Sequence, residues 1–163
     1  MGLEQNLLLA IWIFSLLVIS AFVPCHKRHS FVIAFITAQG LDWFAQMMFL
    51  QYNVLSFPVR EFPKASDMSI TLMIVLMPLY TAIYVIYEPR ATRIVRAVYL
   101  VLWTSFATLT DITISRYSGL QDHKSYYWLV AELVFGVILV ISNAVVRWFF
   151  RHLPLSREDR GNV

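Results

Sequence analysis

The sequence predicts an all-α integral membrane protein, a bundle of about five transmembrane helices in a single domain over residues 1–163. Hydrophobic residues make up 59% of the chain and charged residues only 14%, well below the roughly 25% charged residues of a soluble domain. The apolar residues form long runs separated by short polar connectors, and no repeat or low-complexity tract divides them. One polytopic domain is therefore expected.

Each apolar run is long enough to cross all or most of a hydrocarbon core about 30 Å thick. The predicted transmembrane helices are residues 7–23, 31–52, 68–87, 94–114 and 126–150. A polar tail follows at residues 151–163. Pro24 ends the first run, and the acidic Glu4 in front of that run favours a retained helix over a cleaved signal peptide. This uncharged first helix is expected at the periphery of the bundle, facing lipid.

Lysines and arginines in the connectors predict the orientation of the bundle. One side holds the larger group, which is Lys27, Arg28, Arg90, Arg93, Arg96, Arg147, Arg151, Arg157 and Arg160. The other side holds Arg60, Lys64, Arg116 and Lys124. Because cytoplasmic connectors are enriched in Lys and Arg, the amino terminus is predicted outside and the carboxyl terminus in the cytoplasm. The connector at residues 56–67, here called the outer connector, then lies outside.

The second predicted helix carries Gln39, Asp42 and Gln46 at steps of three and four, which places them on one helical face. Asp42 lies about 17 Å along this helix, close to mid-membrane, where an ionised carboxylate costs about 3 kcal/mol or more. It is therefore expected to be protonated or paired. Two interpretations stay open, a proton-coupling or ligand-binding carboxylate and a hydrogen bond that serves helix packing.

A second group of charged residues is predicted at the outer surface. Asp111 and Glu132 fall toward the outer ends of neighbouring antiparallel helices, and Arg116 lies in the loop that joins them. With Arg60 and Glu61 from the outer connector, they predict one outward-facing site for a lipid headgroup or a small ion. The alternative interpretation is a salt-bridge network that fixes the helix ends.

Two further features concern the third and fourth predicted helices. Pro78, near the middle of the third helix, frees the backbone carbonyl of Ile74 and predicts a kink buried in the bundle. In the fourth helix, Thr104, Thr108 and Asp111 recur at steps of four and three and predict a polar stripe. Both features favour polar contacts inside the bundle.

Several classes of site lack their sequence signatures. There is no Ser/His/Asp arrangement, phosphate loop or dinucleotide fingerprint, so no catalytic set and no cofactor are predicted. Cys25, His26 and His29 lie in a basic connector without an acidic partner, and no metal site is predicted there. Because membrane orientation explains the basic residues, nucleic acid is not an expected partner.

Several short segments carry a family resemblance: Pro58-Val59-Arg60-Glu61-Phe62, Pro78, Asp111, Arg116-Tyr117, Tyr126-Tyr127-Trp128 and Arg147-Trp148-Phe149. Together they resemble an uncharacterised family of small polytopic membrane proteins of spore-forming Gram-positive bacteria. The similarity runs from residue 23 to residue 150, with Asp111 and Arg116 where glutamate and lysine are expected. The resemblance implies a multi-pass protein of the bacterial cytoplasmic membrane and supplies no reaction.

The function expected from these features is a non-enzymatic one. The protein is expected to bind or move a small ligand or lipid headgroup, or to act as a subunit of an envelope complex, with membrane lipids and membrane proteins as partners. One alternative is an intramembrane enzyme for lipid or isoprenoid substrates, with Glu61, Asp111 or Glu132 as acid–base groups and Arg60 holding a phosphate. Another is a purely structural membrane protein.

Overall fold

The computed structural model describes residues 3–52, 54–56, 75–89, 91–118, 122–123 and 127–152. The described elements are α1 (Leu3–Phe22), α2 (Arg28–Gln51), β1 (Leu55–Ser56), α3 (Met77–Tyr87), α4 (Arg93–Ser118), β2 (Asp122–His123) and α5 (Tyr127–His152). A short 3₁₀ turn at Cys25–Lys27 joins α1 to α2. The helical fold class predicted from the sequence is confirmed, and the two strands add only one two-residue pair.

Three helical stretches of the described chain are long and apolar enough to cross a membrane. By length and composition they are Cys25–Gln51, Arg93–Tyr117 and Tyr127–Arg151. The stretches Leu9–Phe22 and Met77–Tyr87 are apolar but shorter. The composition of the whole chain and these three helices agree in indicating a membrane protein.

The ends of α1 and α4 show how local sequence sets the boundaries. α1 ends at Phe22, just before Pro24, as the sequence predicts. α4 continues one turn beyond its predicted end and reaches Ser118, so Arg116 lies in the last helical turn and not in a loop. Nothing between residue 114 and Ser118 breaks a helix, and a cation in the last turn interacts favourably with the helix dipole. The predicted loop position of Arg116 is therefore corrected.

Pro78 lies next to a change in helical geometry. The α-helical part of the third segment begins at Met77, after a wider turn at residues 75–76, so Pro78 lies in the first helical turn. A proline there costs little, because the first backbone N–H groups of a helix have no intrahelical acceptor. The predicted start at residue 68, and Ile74 on which the predicted kink depends, lie outside the described residues.

α2 lies at the centre of the bundle and packs against α3 and α5, while α5 also packs against α4. Its buried side chains recur at steps of three and four and are Phe31, Ala34, Ala38, Asp42, Gln46 and Phe49. Apolar clusters lie toward both ends of this face, and the polar pair Asp42 and Gln46 lies between Ala38 and Phe49. α1 is peripheral, as expected, because Ser15 is its one buried side chain among residues 9–22.

One end of the bundle, here called the basic end, gathers the α1–α2 connector, the α3–α4 connector and the last turns of α5. The Lys27 ammonium donates a hydrogen bond of 2.6 Å to the backbone oxygen of Ile86 near the end of α3. The Tyr87 hydroxyl donates to the backbone oxygen of the last residue of α1 at 2.7 Å. Arg147 of α5 forms an ion pair with Glu88 in the α3–α4 connector.

The opposite end is marked by the strand pair. β1 follows α2 and pairs antiparallel with β2, which follows α4, with Leu55 opposite His123 and Ser56 opposite Asp122. Successive helices therefore alternate in direction, and α2 and α4 run parallel to each other. The start of the outer connector lies beside the α4–α5 connector.

Candidate functional site

The predicted site residues are distributed over three helices and one connector. Arg60 and Glu61 of the outer connector lie outside the described residues. The others are Gln39, Asp42 and Gln46 on α2, Asp111 and Arg116 on α4, and Glu132 on α5. Their positions form two separate groups.

Asp42 and Gln46 form a buried pair on α2. Asp42 is 2% exposed and Gln46 is 8% exposed, and Gln46 Nε2 donates a hydrogen bond of 2.8 Å to Asp42 Oδ2. The other amide atom, Gln46 Oε1, is buried and has no hydrogen-bond partner in the described part of the chain. Gln39, predicted on the same face, is half-buried at its edge.

Asp111 is held by a tyrosine from the next helix. Its carboxylate is buried, and Asp111 Oδ2 accepts a hydrogen bond of 2.7 Å from the Tyr127 hydroxyl in the first turn of α5. Arg116 is exposed in the last turn of α4. Because five residues rotate a helix by about 140° beyond a full turn, Arg116 points away from the face that carries Asp111.

Glu132 lies at a different level of the same helix pair. Its Oε1 atom accepts hydrogen bonds from Thr104 Oγ1 at 2.7 Å and from Ser105 Oγ at 3.0 Å. Thr104, which donates to Glu132, precedes Asp111 by seven residues on α4. The position that Glu132 contacts and the position of Asp111 are therefore about 10 Å apart along the axis of α4. Asp111 and Glu132 thus lie at different levels of the α4–α5 contact, while Arg60 and Glu61 of the predicted outer site lie outside the described residues, so that site stays a prediction.

Asp111 of α4 lies within electrostatic range of Asp42 of α2, and both helices pack against α5. The charge of Asp111 acts on Asp42, and that of Asp42 acts on Tyr127, so these three side chains from α2, α4 and α5 lie within electrostatic range. Thr108, one turn before Asp111, is buried, and its Oγ1 atom has no hydrogen-bond partner among the described residues. The name carboxylate cluster is used below for Asp42, Gln46, Thr108, Asp111 and Tyr127.

A small cavity adjoins the carboxylate cluster at Asp42. Its volume is about 10 Å³, and its lining includes Tyr80, Thr81, Trp103 and Ala107, so it has the size of one water molecule. Trp103 Nε1 donates a hydrogen bond of 3.0 Å to the backbone oxygen of Tyr80 and ties α3 to α4 at this wall. The cavity can accept a water molecule or an ion but is too small for a lipid headgroup.

The approach of Asp42 to Asp111 was not predicted from the sequence, although a signal for it was present. Asp42 lies nine residues before the end of α2, and Asp111 lies seven residues before the end of α4. In an alternating bundle these two helices run parallel, so the two acids come to similar depths. Comparing the depths of polar stripes on parallel helices would have grouped them.

Neither a metal site among the described residues nor a known family is indicated. No group of three or more His, Cys, Asp and Glu side chains that can hold a metal ion occurs among the described residues. No family model, no curated protein and no solved structure matches this chain significantly. The fold and the carboxylate cluster thus define a class, a small helical membrane protein with two acids, Asp42 and Asp111, buried inside its bundle.

Proposed function

We propose that this chain is a multi-pass protein of the bacterial cytoplasmic membrane with five spans, its amino terminus outside and its carboxyl terminus in the cytoplasm. The basic end supports this orientation, because Lys27, Arg93, Arg96 and Arg147 lie on the connectors and helix turns gathered there. Cytoplasmic surfaces of membrane proteins are rich in such residues. The many exposed apolar side chains of α1, α4 and α5 support membrane lipids as its surroundings.

Within this arrangement the protein binds or moves a small ligand at the carboxylate cluster. The observation that carries this function is the burial of Asp42 and Asp111, acids from different helices, with Asp42 lining a cavity of single-water size. Two ionised carboxylates at this depth repel each other and are costly to bury unless a proton, a cation or a donor compensates them. A site with that requirement is suited to exchange a small positively charged species.

Glu132 is assigned a structural role within this proposal. Its Oε1 atom already accepts two hydroxyl hydrogen bonds from α4, which favours a fixed contact between α4 and α5 over an acid–base group. Acid–base work requires a carboxyl group that can release its partners to a substrate. The enzyme alternative is therefore the weaker one for this residue.

The experiment is an ion-flux measurement on the purified full-length protein in proteoliposomes. The probes are protons, followed with a pH-sensitive dye inside the vesicles, and ²²Na⁺, each driven by a potassium diffusion potential set with valinomycin. The wild-type protein is expected to give a flux of one probe above that of protein-free vesicles. Asp42→Asn and Asp111→Asn are expected to return that flux to the background, because they remove the negative charges of the cluster.

The matched control is Arg151→Gln, an exposed charge change near the end of α5. Its flux is expected to equal that of the wild type. The proposed function is contradicted if the wild type gives no flux of either probe above the background and binds neither ion more strongly than the Asp42→Asn and Asp111→Asn variants do. That result favours the purely structural alternative.

A further inference from the structure

We propose that Asp42 is the residue at which the protein takes up and releases a proton, and that a water molecule in the adjoining cavity delivers this proton. The inference rests on the proposed function and names the small positively charged species as a proton. It starts from the cavity wall, in which Asp42 supplies the one carboxyl group among the described residues.

The side chains of the cavity wall are mostly apolar. Apart from Asp42, Tyr80, Thr81 and Trp103, the described wall residues are alanine, methionine, phenylalanine, isoleucine and leucine. Trp103 has no side-chain oxygen, so Asp42, Tyr80 and Thr81 are the described wall residues that can offer one. Hard metal cations in proteins take about six or more oxygen ligands. The composition of the wall therefore favours a proton over a metal cation.

The polar and titratable groups around Asp42 come from four helices. On α2 itself, Gln46 donates a hydrogen bond to Asp42 Oδ2. Tyr80 of α3 lines the same cavity, and Asp111 of α4 and Tyr127 of α5 lie within electrostatic range. No cation of the described chain is among the groups that act on Asp42. An ionised carboxyl group in this position loses its hydration without gaining a counter-charge, and a proton removes that cost.

The position for the proton is Asp42 Oδ1. Because Asp42 Oδ2 accepts the amide hydrogen of Gln46, a proton on Oδ1 leaves that hydrogen bond intact. The Asp42 side chain is only 2% exposed, so it does not exchange protons directly with bulk water. The cavity that Asp42 lines is the place where the carboxyl group can meet a water molecule.

A water molecule fits the cavity in size and in polarity. The volume is about 10 Å³, and a buried water needs about two to four polar partners. Asp42 of α2 and the buried Thr81 of α3 offer such partners from opposite helices. In the uptake step, an O–H bond of a hydronium ion in the cavity breaks, an O–H bond forms at Asp42 Oδ1, and a neutral water molecule remains. Release is the reverse step.

The test is infrared spectroscopy of the full-length protein in lipid nanodiscs, recorded as a pH series in H₂O and in D₂O. A protonated carboxyl group has its own carbonyl stretching band, which shifts when deuterium replaces the proton. The part of this band that disappears in Asp42→Asn belongs to Asp42. In the wild type, that part is expected at acid pH, is expected to decrease as the pH is raised, and is expected to shift in D₂O.

The route through the cavity is tested with Thr81→Val, which removes a polar partner of the water molecule. The rate at which the Asp42 band shifts after transfer to D₂O is expected to fall about tenfold, the change that follows from a barrier higher by about 1.4 kcal/mol. Thr113→Val is the matched control, because Thr113 is exposed on α4 and its hydroxyl donates to the Leu109 backbone oxygen. Glu132→Gln controls for a different carboxyl group, and the Asp42 band is expected to persist in it.

The outcomes separate this inference from the proposed function. If the wild type and Asp42→Asn have the same carbonyl band at every pH, Asp42 stays ionised and the proton site is overturned. A band of Asp42 that changes neither with pH nor in D₂O also overturns it, because the proton is then permanent. An unchanged exchange rate in Thr81→Val overturns the route through the cavity. Flux of ²²Na⁺ without titration of Asp42 overturns the inference and leaves the proposed function in place, whereas titration without flux supports the proton site and restricts the protein to binding.

Discussion

The basic end and the carboxylate cluster differ in what surrounds their acidic side chains. At the basic end, Glu88 faces Arg147, a cation from another helix, and the two charges compensate each other. In the carboxylate cluster, Asp42 is bonded to a neutral amide and lies within range of a second acid. The first arrangement pairs two opposite charges, whereas in the second the hydrogen-bond partner of Asp42 is a neutral amide. This difference separates a structural contact from a candidate binding site.

The largest expected effect on stability comes from Tyr127→Phe. The change removes the hydroxyl that donates to Asp111 and leaves a buried carboxylate with one hydrogen bond fewer. A hydrogen bond to a charged group contributes about 1.5–3 kcal/mol, so a loss of roughly 2 kcal/mol of the free energy of unfolding is expected. Chemical unfolding in mixed micelles measures it, and an unchanged midpoint would show that this hydrogen bond does not order the cluster.

A smaller loss is expected from Lys27→Met at the basic end. The ammonium donates to the Ile86 backbone oxygen and lies 5.5 Å from the centre of the Tyr87 ring. Methionine keeps most of the side-chain length without the charge, so the loss is expected to be about 1 kcal/mol. The same unfolding measurement tests it. An unchanged unfolding midpoint would show that this ammonium does not stabilise the basic end.

The ion pair at the basic end is expected to contribute less again. The Arg147 side chain is 48% exposed, and exposed pairs typically contribute about 0.2–1 kcal/mol. A double-mutant cycle with Arg147→Gln and Glu88→Gln measures the coupling between the two charges. A coupling energy well above 1 kcal/mol would show that the basic end is as tightly constrained as the bundle interior.

Asp42→Asn is expected to change the stability little, and in either direction. The asparagine oxygen can still accept the hydrogen bond from Gln46, and the buried charge is gone, so the free energy of unfolding should change by at most about 1 kcal/mol. The measurement is chemical unfolding of the variant and of the wild type in mixed micelles. A large loss there would assign Asp42 to packing and remove the contrast between the two regions.

Much of the fold follows from the sequence because it depends on local rules. Apolar run length predicts the helices, Pro24 predicts the end of α1, and steps of three and four predict that Asp42 and Gln46 share the inner face of α2. The extra turn of α4 was missed because it depends on the absence of a helix breaker before residue 119. The wider turn at residues 75–76 was not predicted, because an apolar run does not show where the α-helical part begins.

The site was only half predictable for a different physical reason. Periodicity gives the face on which a side chain lies, but not the level at which one helix meets another. That level is set by packing: α5 lies against both α2 and α4 and fixes their relative height. Asp111 was therefore expected beside Glu132 of the next helix, whereas its hydrogen bond comes from Tyr127, five residues before Glu132 on α5. Gln39 was included with Asp42 because a strict periodicity does not distinguish the centre of a face from its edge.

The strand pair limits how far the bundle can spread at its outer end. Three residues separate α2 from β1, and three separate α4 from β2. Such a segment spans at most about 14 Å. The pair therefore acts as a short tether between the ends of the two helices that carry Asp42 and Asp111. Moving the two helix ends apart beyond the combined reach of both segments and the strand pair must break the backbone hydrogen bonds of that pair.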